Sequence, residues 1–173
     1  MDKPFVCLIT GPSGVGKSTV SKEVAKKFNK TAMVNGDYLR HSIISGYAKP
    51  WPWNEESKLQ VELSAENACA LAKNFLSKGF NVIIDDMIGK SLFNYYKENL
   101  KEYHLQVFLL LPAKEALLKR FDERGENPDL RKRTEELHDK FFSRKDELSW
   151  HIIDSSNQTI EETVSSVVSK ITQ

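Results

Sequence analysis

Cysteine is scarce in this sequence, and neither sign of charge is in excess. The two cysteines, Cys7 and Cys69, lie far apart in apolar stretches. Their number and spacing do not suggest a disulfide framework or a metal site, so both are expected to be core thiols in a reducing compartment. The 25 Lys and Arg against 24 Asp and Glu give a net charge of +1, so the overall charge gives no reason to expect nucleic acid or an anionic membrane as partner and leaves open a local basic patch.

Long hydrophobic runs are also missing. The N-terminus, MDKPFVCLIT, has an apolar run that is too short for a membrane span, and it lacks the layout of a signal peptide. We therefore expect a cytoplasmic protein. No repeat, linker or low-complexity tract divides the chain, so residues 1–173 are predicted to form a single domain. The sequence gives no indication of the oligomeric state.

The sequence does contain an alternation of short apolar strands and amphipathic helices. Strands are predicted over 5–10, 31–35, 81–87, 105–111 and 151–154. Helices are predicted over 18–28, 37–46, 54–78, 90–103, 113–125 and 159–171, and the charged segment 126–148 is expected to be a loop and an exposed helix. This alternation is typical of an α/β fold in which helices cover both faces of a parallel sheet.

A glycine-rich stretch, GPSGVGKST, follows the first predicted strand. It fits the pattern G-x-x-x-x-G-K-[ST] and lies between a buried strand and a helix, where free backbone N–H groups and the helix dipole favour phosphate. Lys17 is expected to reach the β and γ phosphates, and Ser18 to coordinate Mg²⁺. The residues predicted to bind ATP are Gly11, Pro12, Ser13, Gly14, Val15, Gly16, Lys17, Ser18 and Thr19.

A polar segment, GDYLR, comes directly after the second predicted strand. Asp37 and Arg40 are three residues apart at a helix start, so both side chains can lie over one face at the carboxyl edge of the sheet. Asp37 could accept the proton of an attacking hydroxyl, and Arg40 could bind an anionic or polar acceptor. The residues leave open that Asp37 is a helix N-cap and that Arg40 is a surface residue.

Two further groups of residues are predicted to contact the metal or the acceptor. Asp85 and Asp86 close the third strand, and consecutive strand residues point to opposite sides, so they should not share a role. Asp85 is predicted near Mg²⁺ and Asp86 at the substrate, with capping or solvation as the alternative. Tyr47, Trp51 and Trp53 lie in a proline-containing loop and are predicted to cover the acceptor; packing onto the next helix is the alternative.

These motifs resemble those of the P-loop kinases of the shikimate, gluconate, chloramphenicol and polynucleotide kinase type. The resemblance covers nearly the whole chain, through GPSGVGKST, GDYLR, VIIDD, LLKRFDERG and IIDSSN. It implies a three-layer fold with a five-stranded parallel sheet in the order 2-3-1-4-5. It also implies ATP and Mg²⁺ as cofactors, with transfer of the γ-phosphoryl group to a hydroxyl, Asp37 as the base and Arg40 as a substrate contact.

The resemblance further implies a short lid. Arg120 and Arg124 are four residues apart on one helical face, and similarly spaced arginines in this family reach across the phosphates. Both are therefore predicted to be catalytic, in a lid segment of approximately residues 120–135. Arg131 and Arg133 are further candidates, and a solvated surface is the alternative for all four arginines. Residues 154–157 are implied to line the adenine.

The predicted function is phosphoryl transfer from ATP to a hydroxyl of a small molecule, such as a sugar acid or an antibiotic. A polynucleotide 5′-hydroxyl kinase and a nucleotide kinase remain alternatives, although no long basic tract supports nucleic acid binding. A non-enzymatic nucleotide-binding module is a third alternative, but the N-K-x-D element of a GTP switch is missing after the fourth strand. An acceptor-independent ATPase would leave Asp37 and Arg40 unexplained. The four histidines are expected to be structural.

Overall fold

The computed structural model describes residues 3–125 and 128–173. The strands are β1 (Phe5–Thr10), β2 (Thr31–Asn35), β3 (Asn81–Asp85), β4 (His104–Leu110) and β5 (His151–Ile153). The helices are α1 (Lys17–Ala25), α2 (Gly36–His41), α3 (Glu55–Leu76), α4 (Lys90–Asn99), α5 (Lys114–Glu123), α6 (Pro128–Arg144) and α7 (Ile160–Ile171), with one 3₁₀ turn at Lys145–Glu147. Residues 126 and 127 of the predicted lid segment lie outside the described residues.

All five strands form one parallel sheet in the order β2-β3-β1-β4-β5, which confirms the predicted topology. Every residue of β1 is buried, as its central position between two helical layers requires. Side chains from α3, α4 and α6 pack on one face of the sheet, and side chains from α1, α5 and α7 pack on the other. The fold therefore has three layers, as predicted.

The register of the sheet aligns the carboxyl ends of its central strands. Ile9 on β1 pairs with Asp85 on β3, and Asp85 in turn pairs with Asn35 on β2. Parallel strands present their carboxyl ends at one edge, where open α/β sheets bind ligands. The polar residues that follow β1, β2 and β3 in the sequence are thereby gathered at one place.

Two elements at this edge, one helix and one strand, are shorter than predicted. The helix predicted over 37–46 ends at His41, with Ser42 as its C-cap, and the Ser42 hydroxyl donates to the Tyr38 carbonyl at 3.1 Å. The strand predicted over 81–87 ends at Asp85. Beyond it the Asp86 N–H donates to the Ile9 carbonyl at 3.3 Å and the Ile88 N–H donates to the Thr10 hydroxyl at 3.1 Å, so two further hydrogen bonds hold the chain beside β1.

Most of the charged segment 126–148 forms α6 (Pro128–Arg144), and the expectation that this helix is exposed is only partly right. Thr134, Leu137, His138 and Phe141 are buried, and their spacing places them on one helical face. His138 Nε2 donates to the Pro112 carbonyl at 2.9 Å, a structural role of the kind predicted. The charged residues that surround this stripe hide its apolar periodicity in the sequence.

The cysteines are placed as predicted. Cys7 lies in β1 and Cys69 in α3, and both are buried and free. Burial raises the pKa of the Cys69 thiol to about 11 and raises that of Cys7 further, so neither is a thiolate at neutral pH. Among the described residues, no helix is long and apolar enough to cross a membrane.

Candidate active site

The loop between β1 and α1 has a shape that depends on glycine. Gly11 has a φ of 149°, and a Cβ atom at this position would lie 2.4 Å from the Leu110 carbonyl oxygen. Gly16, the residue before α1, has a φ of 93°, in the left-handed region that side chains disfavour. The loop can therefore curl back over the end of β4, which leaves the N-terminus of α1 open toward the carboxyl edge of the sheet.

Lys17 lies inside this loop. Its Nζ donates to the carbonyl oxygens of Gly11 and Pro12, both at 3.0 Å. Burial lowers the pKa of the Lys17 ammonium, whereas the nearby carboxylates of Asp85, Asp37 and Asp86 oppose that shift. The loop therefore holds a half-buried cation within the electrostatic influence of three carboxylates, and this charge suits a ligand with phosphate groups.

Asp85 and Ser18, the two residues predicted to hold the metal, are brought together by the fold. Asp85 Oδ2 accepts a hydrogen bond from Asn35 Nδ2 at 2.7 Å. Burial raises the pKa of Asp85, while hydrogen bonds from the Ser18 hydroxyl and Asn35 and the charge of Lys17 act against that rise. A hydroxyl and a carboxylate oxygen side by side are hard oxygen donors of the type that Mg²⁺ prefers.

Asp37 and Arg40 form an ion pair at the start of α2. The Asp37 side chain is 64% exposed, whereas that of Arg40 is 10% exposed. The helix cap is Asn35, whose Oδ1 accepts from the Tyr38 N–H at 2.9 Å, so the N-cap alternative for Asp37 is wrong. An exposed carboxylate beside a buried guanidinium is suited to contact a ligand from solvent.

Asp86 lies on the other side of the strand end from Asp85 and has different partners. Its Oδ2 accepts from the Tyr96 hydroxyl at 2.9 Å, and its Oδ1 accepts from the Met87 N–H at 2.8 Å. Burial raises the pKa of Asp86, whereas Tyr96 and Arg40 lower it. A Cβ atom on Gly36 would lie 2.6 Å from this carboxylate. Asp86 thus packs against the first residue of α2, and its contact with substrate stays a prediction.

A cavity of about 300 Å³ opens beside Arg40. Trp53 lines it, whereas Trp51 and Tyr47 are not among the described residues that do; the Tyr47 hydroxyl lies 3.2 Å from His41 Nε2. The remaining lining residues come from the preceding loop, α3, the start of α4, α6 and the chain before β5: Pro50, Val61, Met87, Ile88, Gly89, Lys90, Ser91, Leu92, Arg133, Leu137, Lys140, Phe141, Arg144, Glu147, Leu148 and Trp150.

The four arginines predicted near the lid lie in four different environments. Arg120 Nη2 donates to the Ser155 and Ser156 carbonyls at 2.7 and 3.2 Å, and so holds the loop after β5. Arg124 Nη1 would lie 3.7 Å from a Cβ atom built on Gly14, so its guanidinium borders the phosphate loop. Arg131 pairs with Asp122 on the surface, and Arg133 lines the cavity.

Three important residues were missed by the sequence interpretation. Asn35 caps α2 and binds Asp85, and its position just before an acidic first helical turn is a recognisable N-cap signal. Tyr96 reaches Asp86 from ten residues away, which no local pattern indicates. Lys140 reaches the cavity from α6, and the spacing of Arg133, Leu137 and Lys140 on one helical face could have suggested a shared surface.

The buried bond between Tyr96 and Asp86 provides a test of how this site is supported. We expect Tyr96→Phe to lower the free energy of unfolding by about 1–3 kcal/mol, because a desolvated carboxylate loses a donor. The neighbouring, partly exposed Tyr95 offers the matched control, and Tyr95→Phe should change stability by no more than about 0.5 kcal/mol. Urea denaturation measures both. Equal effects of the two substitutions would contradict the support role.

Comparison with known proteins gives a family match over most of the chain. A family described as AAA domain (AAA_18) matches residues 7–140. The guanylate kinase of Buchnera aphidicola is 27% identical over an alignment of 160 positions, and the alignment covers 81% of this chain and 75% of that protein. Its similarity extends well beyond the phosphate loop.

Solved structures show the same fold at low sequence identity. Shikimate kinase from Bacteroides thetaiotaomicron has a TM-score of 0.69 and 16% identity, with 98% of this chain and 99% of that one covered. A gluconokinase from Sinorhizobium meliloti has a TM-score of 0.67 and 17% identity, with 99% and 98% covered. The solved structures and the sheet order show the P-loop kinase fold, and the match over residues 7–140 shows that the chain belongs to the AAA domain family.

Proposed function

We propose that this protein is an ATP-dependent kinase that transfers the γ-phosphoryl group to a hydroxyl of a small molecule bound in the cavity beside Arg40. The observation that carries this proposal is the position of Asp37 and Arg40. The charge of Asp37 acts on Lys17 and the charge of Arg40 acts on Asp86, and Arg40 also lines a cavity that is open to solvent. An acceptor-independent ATPase has no use for such a cavity, whereas a kinase needs one.

The phosphate end of the site is built by the loop and the strand that follows α3. Lys17 would exchange its bonds to the Gly11 and Pro12 carbonyls for bonds to the β and γ phosphates. Ser18 and Asp85 would hold Mg²⁺, which supplies electrostatic stabilisation of the charge on the phosphates. Because Asp85 is desolvated, its charge acts strongly on a cation at this place.

The acceptor end is built by α2. Asp37, which is exposed, would accept the proton of the acceptor hydroxyl as it attacks. Arg40 holds the Asp37 carboxylate through their ion pair and is itself fixed by its burial and by the charge of Asp86. The two residues thus have different roles. Asp37 acts as the general base, and Arg40 orients Asp37 and the acceptor.

A nucleotide kinase is the second candidate. The relative of similar sequence is named guanylate kinase, and the cavity lining includes several cations that suit a phosphate group. In that reaction the acceptor is a phosphate oxygen, which is already ionised and needs no general base. The role of Asp37 is therefore the chemical difference between the two candidates.

The direct test is a panel of acceptors incubated with the protein, Mg²⁺ and γ-labelled ATP. The panel contains a sugar acid, a hydroxylated ring carboxylate, a hydroxylated antibiotic, nucleoside monophosphates and a 5′-hydroxyl oligonucleotide. We expect label on a small hydroxyl compound, and no transfer by Lys17→Ala because the loop then lacks its cation. Label found only as free phosphate with every acceptor would contradict the proposal.

A base at Asp37 has a defined kinetic effect. We expect Asp37→Asn to lower kcat by about 10² to 10⁴ with a hydroxyl acceptor, because the amide cannot take up the proton. ATP binding, measured by calorimetry, should be unchanged. Surface Asp146→Asn provides a control for the loss of one negative charge. A wild-type kcat in Asp37→Asn would exclude the base role and favour a phosphate acceptor.

Substitution of Arg124 and substitution of Arg120 should have different effects, the first on kcat and the second on thermal stability. Arg124 borders the phosphate loop, so Arg124→Ala should lower kcat with little change in the KM for ATP. Arg124→Lys should restore little of the lost kcat, because lysine lacks the planar, two-pronged guanidinium group. Arg120 holds the loop after β5, so Arg120→Ala should lower thermal stability. Steady-state kinetics and thermal melts measure the two effects; a wild-type kcat in Arg124→Ala would remove it from catalysis.

A further inference from the structure

The cavity beside Arg40 is lined by an excess of positive charge. Five of the described lining residues are cations, and Glu147 is the anion among them; the cations are Arg40, Lys90, Arg133, Lys140 and Arg144. The chain as a whole has a net charge of +1, so this imbalance is local. A concentration of one sign of charge around a concave surface attracts a ligand of the opposite sign.

Few of these cations are neutralised by the protein itself. Arg133 lies 3.6 Å from Glu136 on its own helix, and Arg40 pairs with Asp37. Within residues 3–125 and 128–173, no ion pair is found for Lys90, Lys140 or Arg144. Arg131, a cation of the same helix that does not line the cavity, differs in this respect because it is paired with Asp122 of α5.

The start of α4 adds backbone donors to the same cavity. Its cap residue, Gly89, supplies no side-chain acceptor, and no acidic residue lies in the first turn. Gly89, Lys90, Ser91 and Leu92 all line the cavity, and the first N–H groups of a helix have no intrahelical partner. With the positive end of the helix dipole, this helix start favours an anion.

Two buried donors on the cavity wall point to the same kind of ligand. Arg40 is 9% exposed and Trp150 is 8% exposed. Arg40 Nε and Trp150 Nε1 have no hydrogen-bond partner among the described residues, although both side chains line the cavity. A buried donor without a partner costs free energy, and a ligand with acceptor oxygens would remove that cost.

The rest of the lining is apolar and includes aromatic rings. Ile88, Leu137 and Phe141 are buried side chains of the wall. Trp53 lines the cavity from the loop before α3 and is 57% exposed, so part of its ring remains available to a ligand. Surfaces of this kind pack against the flat or apolar part of a ligand rather than against a chain of hydroxyls.

We propose that the acceptor of this kinase is an anionic small molecule with a ring, whose anionic group is bound by the start of α4 together with Lys140 and Arg144 of α6. The inference rests on the proposed function, because it assigns the cavity to the acceptor. The shared chemistry is a carboxylate or phosphate group on a ring-bearing alcohol. A neutral antibiotic and an open-chain sugar acid are disfavoured as acceptors.

The test measures binding to the whole protein by calorimetry in the absence of ATP, so it does not depend on phosphoryl transfer. The probes are 4-hydroxycyclohexanecarboxylate and its neutral amide, guanosine monophosphate and guanosine, and gluconate. The variant is Lys140→Gln combined with Arg144→Gln. The matched control is Lys132→Gln, an exposed cation on the same helix that is not among the described residues lining the cavity.

We expect at least one ring anion to bind about tenfold or more tightly than its neutral counterpart, with gluconate weaker, and the double variant to remove that preference. Lys132→Gln should bind as the wild type does. Comparison of 4-hydroxycyclohexanecarboxylate with guanosine monophosphate identifies whether the site binds a carboxylate or a phosphate group. Equal binding of anionic and neutral probes, no binding of either ring anion, or unchanged binding in the double variant would overturn the inference. A kinase assay that fails while this binding persists would overturn the proposed function alone.

Discussion

Two consecutive carboxylates, the last residue of a buried strand and the residue after it, are desolvated, and this desolvation is the constraint around which this edge of the sheet is organised. A carboxylate removed from water needs hydrogen-bond donors or a nearby cation. For Asp85 these are Asn35 and Ser18, and for Asp86 they are Tyr96 and the backbone beyond the strand. Because the donors belong to β2, α1 and α4, satisfying two acids fixes three elements relative to β3.

The position of the short helix α2 depends on the contacts of these two carboxylates. Asn35 uses its amide nitrogen for Asp85 and its amide oxygen for the first turn of α2, so one side chain connects the proposed metal-binding residues to the proposed acceptor-binding helix. Gly36 allows the helix to lie directly on the Asp86 carboxylate. Asp37 and Arg40 are therefore carried on a helix whose start is held from two sides.

The sequence allowed prediction of the sheet order and the phosphate loop, because both follow from local patterns. Buried strands read as apolar runs, and the spacing from Gly11 to Ser18 has a direct mechanical meaning. The contact of Tyr96 with Asp86 depends on how α4 docks against the sheet, so it could not be predicted. The cavity could not be predicted for the same reason. Its walls come from α2, α3, α4 and α6, and only the packing of these helices brings Lys140 and Arg40 together.

The two helices α5 and α6 are tied together at several points. Arg131 of α6 pairs with Asp122 of α5, Lys114 pairs with Asp139 at 2.6 Å, and His138 binds the Pro112 carbonyl. Arg124, at the end of α5, borders the phosphate loop, and α6 forms a wall of the cavity. A displacement of one helix is consequently shared by the other. Under the proposed function, nucleotide at the phosphate loop and acceptor in the cavity would therefore be coupled through this helix pair, and thermodynamic reciprocity requires each ligand to change the affinity of the other by the same factor.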